Sequence, residues 1–158
     1  SKTNDYEESD FVCSNHFFCS HFLSKKYDVE ADMQALVKLT AEDWDANFLS
    51  GNMEANVSFY TEDAIRIWDG KIYKGKDAMR ALFNTAQEET IILKQENKVE
   101  DTWISGDLAT VRGSFSGSYI IKESGDTLNI KEAWVDVCER QEDGTWKMAL
   151  TLTSRLNN

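Results

Sequence analysis

The chain has no proline, two histidines, three cysteines and no apolar run longer than a few residues. Each shortage excludes something. Without proline there are no Pro-rich linkers, and no repeat or low-complexity block divides the chain. Apolar runs this short fall far below the ~20 residues a membrane-spanning helix needs. Basic residues are scarce too: 17 Lys+Arg against 28 Asp+Glu leave a formal charge of -11. The average surface therefore repels phosphate backbones and anionic lipid, and nucleic acid is not an expected partner. Both histidines, His16 and His21, precede the part of the chain that reads as folded, so the domain proper has no histidine general base. A Gly-rich phosphate loop and a Gly-x-Ser-x-Gly elbow are also missing, and no cofactor is expected.

What is present reads as one globule. An apolar fraction of 41%, five tryptophans and 158 residues suffice for a single core. The expected organisation is an N-terminal extension over residues 1–30, part polar tether and part apolar packing segment, followed by one domain over 31–158. The opening "SKTNDYEESD" is polar and acidic. It resembles the tether that follows the modified cysteine of a bacterial lipoprotein, a composition shared by any disordered leader. Export and a cytoplasmic location both stay open.

Within the extension, "CSNHFFCSH" gathers Cys13, His16, Cys19 and His21. On a helix these four spread over more than half the circumference, and on a strand His16 faces away from the others. Only an irregular loop could form the tetrahedron zinc requires, so no metal site is expected. The favoured reading is an apolar segment, "FFCSHFL", packed against the domain, with a Cys13 to Cys19 disulfide if the protein is exported. Cys138, in the alternating "WVDVCERQ", reads as a small buried hydrophobe.

From Ala31, "ADMQALVKLTAEDWDANFLSGN" has helical periodicity with "SGN" as its stop, and "NMEANVSFY" predicts a second, shorter helix. "AIRIW" reads as a strand, "DGKIYKG" as a reversal about Asp69 and Gly70, and "KDAMRALFNTAQEE" as a third helix. After Glu89 come four long β-rich segments joined by "SGD", "SGD" and "EDG", which predicts a four-stranded antiparallel meander. Strands this long curl, and the helices are available to fill the concave face.

The order of these elements resembles the cone-shaped α+β fold of the nuclear transport factor 2 (NTF2-like, or cystatin-like) superfamily. "WDANFLSGNMEANVSFYTEDAIRIWDGKIYKGKDAMRALF", with "SGDLATVRGSFSGSY" and "VDVCERQEDGTWKMALTLTSR", is similar to its SnoaL-like or DUF4440 group. The resemblance implies three helices packed on a strongly curved antiparallel sheet, and homodimerisation through that sheet. The superfamily includes ketosteroid isomerase, scytalone dehydratase, limonene epoxide hydrolase, polyketide cyclases and non-catalytic modules, so fold alone assigns no activity. Where ketosteroid isomerase has its tyrosine and its basic aspartate, this chain places Trp44 and Trp68. Neither can take a proton from carbon, which argues against that chemistry.

The resemblance puts the remaining acidic position near Asp136. Strand alternation groups Glu132, Trp134, Asp136 and Cys138 on one face. A carboxyl beside tryptophan in a concave face has a raised pKa, which is a route to a general acid or base. The alternatives are an ion pair with Arg66 or Arg112, or an outward charge at a dimer surface. Arg66 shares a face with Ala64 and Trp68, and suits a carboxylate or enolate ligand or a neutralising role. The candidate ligand-binding set is Trp44, Phe48, Tyr60, Arg66, Trp68, Trp103, Arg112, Tyr119 and Trp134, with Asp136 as candidate catalytic residue. Three functions fit: a domain binding a small, partly apolar molecule, a SnoaL-type isomerase or lyase, and a structural dimerisation module.

Overall fold

The computed structural model describes residues 27–156. The "CSNHFFCSH" segment and its expected packing or disulfide lie outside the described residues. Asp28 opens the first helix by accepting a hydrogen bond from the Ala31 amide at 3.1 Å, which satisfies one of the free N–H groups of a helix start. Helix α1 (Val29–Val37), a π-helical turn (Lys38–Glu42) and α2 (Asp43–Ser50) follow one another directly. The long helix expected from Ala31 is thus present with a widened turn inside it. Where it widens, Leu39, Thr40 and Ala41 are buried and the Thr40 hydroxyl donates to the Leu36 carbonyl at 2.9 Å. A hydroxyl on that carbonyl competes with the regular backbone bond.

Gly51 ends α2 at φ 76°, and Asn52 caps α3 (Met53–Ser58) by accepting from the Ala55 amide at 3.3 Å. Strands β1 (Tyr60–Trp68) and β2 (Lys71–Lys74) form a hairpin. Asp69 and Gly70 turn it with φ of 49° and 72°, as a two-residue turn that follows strand twist requires. Helix α4 (Gly75–Glu89) leads into the meander β3 (Thr90–Ser105), β4 (Leu108–Ile121), β5 (Thr127–Arg140) and β6 (Trp146–Arg155).

The six strands form one sheet in the order β2-β1-β6-β5-β4-β3. Its pairs are antiparallel except β1 with β6, which is parallel. The sheet is therefore mixed, where the resemblance implied an antiparallel one. The chain between β1 and β6 is long enough to return in the same direction, which a short hairpin cannot do. The meander itself is antiparallel, as its short turns require.

Three single-residue irregularities bend the sheet. Leu93 and Glu100 are extra residues on β3, and Ala149 is extra on β6 opposite the Val137–Cys138 step. Each local insertion reverses which residues face inward beyond it. On the concave side of β4, Gly113 lets the sheet meet its own contents closely. A Cβ there would collide with the Trp134 indole and the Lys98 carbonyl.

The helices cover the concave face, where Leu36, Val57, Tyr60, Met79, Val111 and Cys138 are buried. Cys138 is a buried free thiol that burial pushes above its ordinary pKa. A polar clasp ties α1 to the far end of β5 and β6. Arg140 grips the Asp32 carboxylate through both terminal nitrogens, at 2.5 Å each, and Trp146 Nε1 donates to the same group at 3.2 Å. The guanidinium stacks 4.3 Å from the Trp146 ring centroid. Both charged side chains are buried, with 8% and 9% of their surface exposed.

Candidate functional site

The helices do not fill the cone completely. A cavity of about 260 Å³ remains between α2, α4 and the concave sheet. That is close to the lower end of small-molecule sites. Its apolar walls come from Trp44 and Phe48 on α2, Phe83 on α4, and Phe115 and Tyr119 on β4. Trp44 packs against Phe48 at 5.4 Å and edge-on to Phe83 at 5.5 Å between ring centroids, separations typical of attractive aromatic pairs.

The polar floor is built across β1, β6 and β5. Arg66, Thr151 and Asp136 lie in one cross-strand row, and Thr153 and Trp134 face each other in the next. Arg66 Nη1 donates to the Tyr60 hydroxyl at 3.0 Å. Tyr60 lies 3.5 Å from Thr151 Oγ1, which donates to Asp136 Oδ1 at 2.6 Å. A chain of donors therefore runs from the guanidinium to one oxygen of the carboxyl. The other oxygen has no hydrogen-bond partner among the described residues.

Burial raises the Asp136 pKa to about 6, although the Thr151 hydrogen bond and the Arg66 charge act in the opposite sense. Desolvation wins because one hydrogen bond and a guanidinium reached only through two hydroxyls replace little of the lost hydration. Tyr60 and Tyr119 are likewise raised, chiefly by burial, which keeps both phenols protonated. Beside the chain, Trp68 Nε1 donates to Glu132 Oε1 at 3.1 Å, and Arg155 Nε lies 3.9 Å from the same oxygen.

Trp44, Phe48, Tyr60, Arg66, Trp68, Tyr119, Trp134 and Asp136 all line this cavity. Trp103 and Arg112 do not. The extra residue Glu100 reverses the alternation of β3, so Trp103 points outward and is 57% exposed. Arg112 lies opposite Asp101 on the convex side and pairs with Asp101 and Glu100. Its distance along β4 from inward-facing Tyr119 is an odd number of residues, so alternation alone excludes it. An Asp136–Arg112 ion pair is thereby ruled out, and among the described residues no direct ion pair joins Asp136 to Arg66 either. Asp136 also does not face outward at a dimer surface; it is 4% exposed, inside the cone.

Sequence reasoning did not select Thr151, Thr153 or Arg155 from β6. Simple alternation from buried Trp146 and Met148 points Leu150 and Leu152 inward. The extra Ala149 reverses this and turns Thr151, Thr153 and Arg155 into the cavity instead. Glu132 was recognisable from the alternation of β5. Among the described residues, no group of three or more His, Cys, Asp or Glu is placed to hold a metal ion.

The sequence profile of the SnoaL-like domain matches residues 41–148, which carry most of this architecture. The chain belongs to the SnoaL-like family. Comparison with curated proteins gives no match. Among solved structures, this SnoaL-like chain is similar to a ketosteroid isomerase-like protein from Erwinia carotovora atroseptica. That pair has 19% identity and a TM-score of 0.68, over 80% of this chain and 94% of the other. An NTF2-like superfamily protein from Salmonella enterica matches with 10% identity and a TM-score of 0.72, over 83% and 95%. A hexachlorocyclohexane dehydrochlorinase matches with 17% identity and a TM-score of 0.69, over 82% and 88%. At such identities the likeness is one of fold.

Proposed function

We propose that this SnoaL-like domain binds a small, partly apolar molecule inside the cone. The observation that carries the reading is the cavity itself, with an aromatic wall and one polar floor built by β1, β5 and β6. A purely structural module has no use for a partly desolvated carboxyl beside unfilled space, because buried polar groups cost stability. Ala86 lines the cavity from α4, and Ala86→Trp places an indole in the ligand's path. A screen of compact aromatic and alicyclic compounds by thermal shift should find several that raise the melting temperature of the wild type and not of Ala86→Trp. Equal shifts in both proteins would place binding elsewhere and end this reading.

The raised pKa of Asp136 favours a second reading, acid–base catalysis by an isomerase or lyase. A carboxyl that titrates near 6 can take a proton from carbon and return it, or deliver it to a leaving group, at neutral pH. The dehydrochlorinase among the fold relatives is an eliminating enzyme by its name. For this chain elimination or isomerisation rests on Asp136 alone.

The convex face supports a homodimer. Ile67, Leu152 and Val135 follow one another across β1, β6 and β5, and Ile65, Leu150 and Val137 form the adjacent row. Leu152 is 44% exposed. A contiguous apolar sheet face of this kind is ordinarily covered. Light scattering should give a dimer mass for the wild type and a monomer mass for Leu152→Glu. A wild-type monomer at high micromolar concentration would overturn the assignment.

A further inference from the structure

We infer that the ligand of the cavity carries a single carboxylate, seated on Arg66, Trp134 and Thr153, with a flat apolar body against the aromatic wall. The inference rests on the binding reading above and narrows it to a chemical class. Three buried polar atoms of cavity-lining side chains have no partner in the structure: Arg66 Nε, Trp134 Nε1 and Thr153 Oγ1. Trp134 and Thr153 are more than nine-tenths buried. They stand directly opposite each other on β5 and β6, and Arg66 occupies the adjoining row on β1. Neighbouring strands lie ~4.8 Å apart, so the three polar atoms belong to one compact region of the floor.

Their chemistry is one-sided. The indole and guanidinium nitrogens can only donate, and the threonine hydroxyl donates or accepts. Buried donors left without acceptors are costly, and a group offering several lone pairs in a plane satisfies them together. Glu132 is already engaged by Trp68 and Arg155 and Tyr119 by Gln95, whereas Asp136 binds Thr151 through one oxygen and keeps the other free, a group that donates once the carboxyl is protonated. The three unpartnered atoms are covered in this structure, so an acceptor reaches them through a small shift of the Trp134 and Thr153 side chains, and it then gains donors that otherwise have no partner.

Charge limits the ligand to one negative unit. Glu132 and Arg155 offset each other, so Arg66 is balanced only by Asp136, which can lose its charge by taking up a proton. The groups beside Asp136 are Arg66 and Tyr60 on β1, Thr151 on β6 and Cys138 on β5, while Glu132, Arg155, Tyr119 and Glu89 line the same cavity further from it. A monoanion beside Arg66 leaves Asp136 neutral and restores balance. A dianion would add an unmatched charge next to Glu132. Carboxylate binding should consequently bring proton uptake by Asp136, and weaken as pH rises through the range in which free Asp136 ionises.

The test uses matched probes on the wild-type chain: benzoate, 2-naphthoate and 3-phenylpropionate against their primary carboxamides, by titration calorimetry at pH 6 and pH 8. At least one carboxylate should bind roughly ten-fold or more tightly than its amide at pH 6, with less advantage at pH 8. Titrations in buffers of different ionisation enthalpy should show proton uptake at pH 7. Asp136→Asn should abolish the uptake and flatten the pH dependence, and Arg66→Met and Trp134→Phe should each shrink the preference for carboxylate. Trp134→Phe keeps an aromatic ring in place should Arg66→Met fail to fold. If amides bind as well as carboxylates, the anion inference falls while the cavity reading stands. If no member of either series binds at millimolar concentration, both fall.

Discussion

Arg140→Met is expected to lower folding stability at pH 7 by about 3–5 kcal/mol, the usual consequence of stranding one buried charge of a pair. Asp32 would lose both guanidinium contacts and keep only the Trp146 N–H. Against a typical domain stability of ~5–15 kcal/mol, this is the largest single effect expected outside the hydrophobic core. The pH response identifies the cause. The Arg140 hydrogen bonds hold the Asp32 carboxyl below its ordinary 3.8, in opposition to burial. The folded pKa is depressed, so the pair's contribution is present above about 3.8 and is lost as pH falls through the folded value. Urea denaturation should accordingly show the deficit of Arg140→Met shrinking in strong acid. The double replacement Asp32→Leu with Arg140→Met should recover much of it, because no buried charge is then stranded; Asp107, which also pairs with Arg140, is half exposed. A loss below ~1 kcal/mol at pH 7 would mean that the pair behaves as a solvent-screened surface contact.

Asp136→Asn should have the opposite pH signature, and a large effect on any turnover. Asp136 titrates near 6 in the fold against 3.8 for the ordinary side chain. Its folded pKa is raised, so its favourable contribution is complete below about 3.8 and is lost as pH rises through 6. A shift of that size corresponds to a stability slope totalling on the order of 3 kcal/mol between those limits. Asparagine retains an acceptor for the Thr151 hydroxyl and has no charge to bury, so the slope should vanish and the variant should equal or exceed the wild type in stability at pH 8. If Asp136 transfers a proton in a reaction, turnover should fall by about 10²–10⁴ while ligand affinity at pH 6 changes only a few-fold. An unchanged stability profile from pH 4 to 7 would show that Asp136 is solvated and would remove it from both readings of the site.

These two aspartates show what was legible beforehand and what was not. Alternation on β5 placed Asp136 with Trp134 and Glu132 on the concave face, and that strand has no extra residue of its own to disturb the count. Helical spacing likewise put Trp44 and Phe48 on the buried side of α2, and the turn residues delimited the meander. The clasp of Asp32 was invisible, because Asp32 and Arg140 lie 108 residues apart and neither stands in a local motif. The inward turn of Thr151, Thr153 and Arg155 was equally hidden. It depends on Ala149, whose extra position is defined only by pairing with β5. Trp103 failed for the same reason through Glu100. Period-two reasoning holds as far as the nearest bulge, and bulges are properties of paired strands, not of single ones.

The parallel pairing of β1 with β6 has a kinetic consequence. The hydroxyls of Tyr60 and Thr151 meet across 91 residues of sequence, and this pairing also brings Arg66 beside the row that holds Asp136. Closing a loop of that length carries an entropic cost that local helices and hairpins do not, so contacts of this kind form late in folding. The meander can assemble strand by strand from its own turns, but the polar floor of the cavity is not complete until β1 docks on β6. A partly folded chain would therefore have most of the sheet and the β5–β6 part of the floor without its guanidinium, and peeling β1 and β2 away from β6 would remove Arg66, Tyr60 and Trp68 while leaving the meander paired.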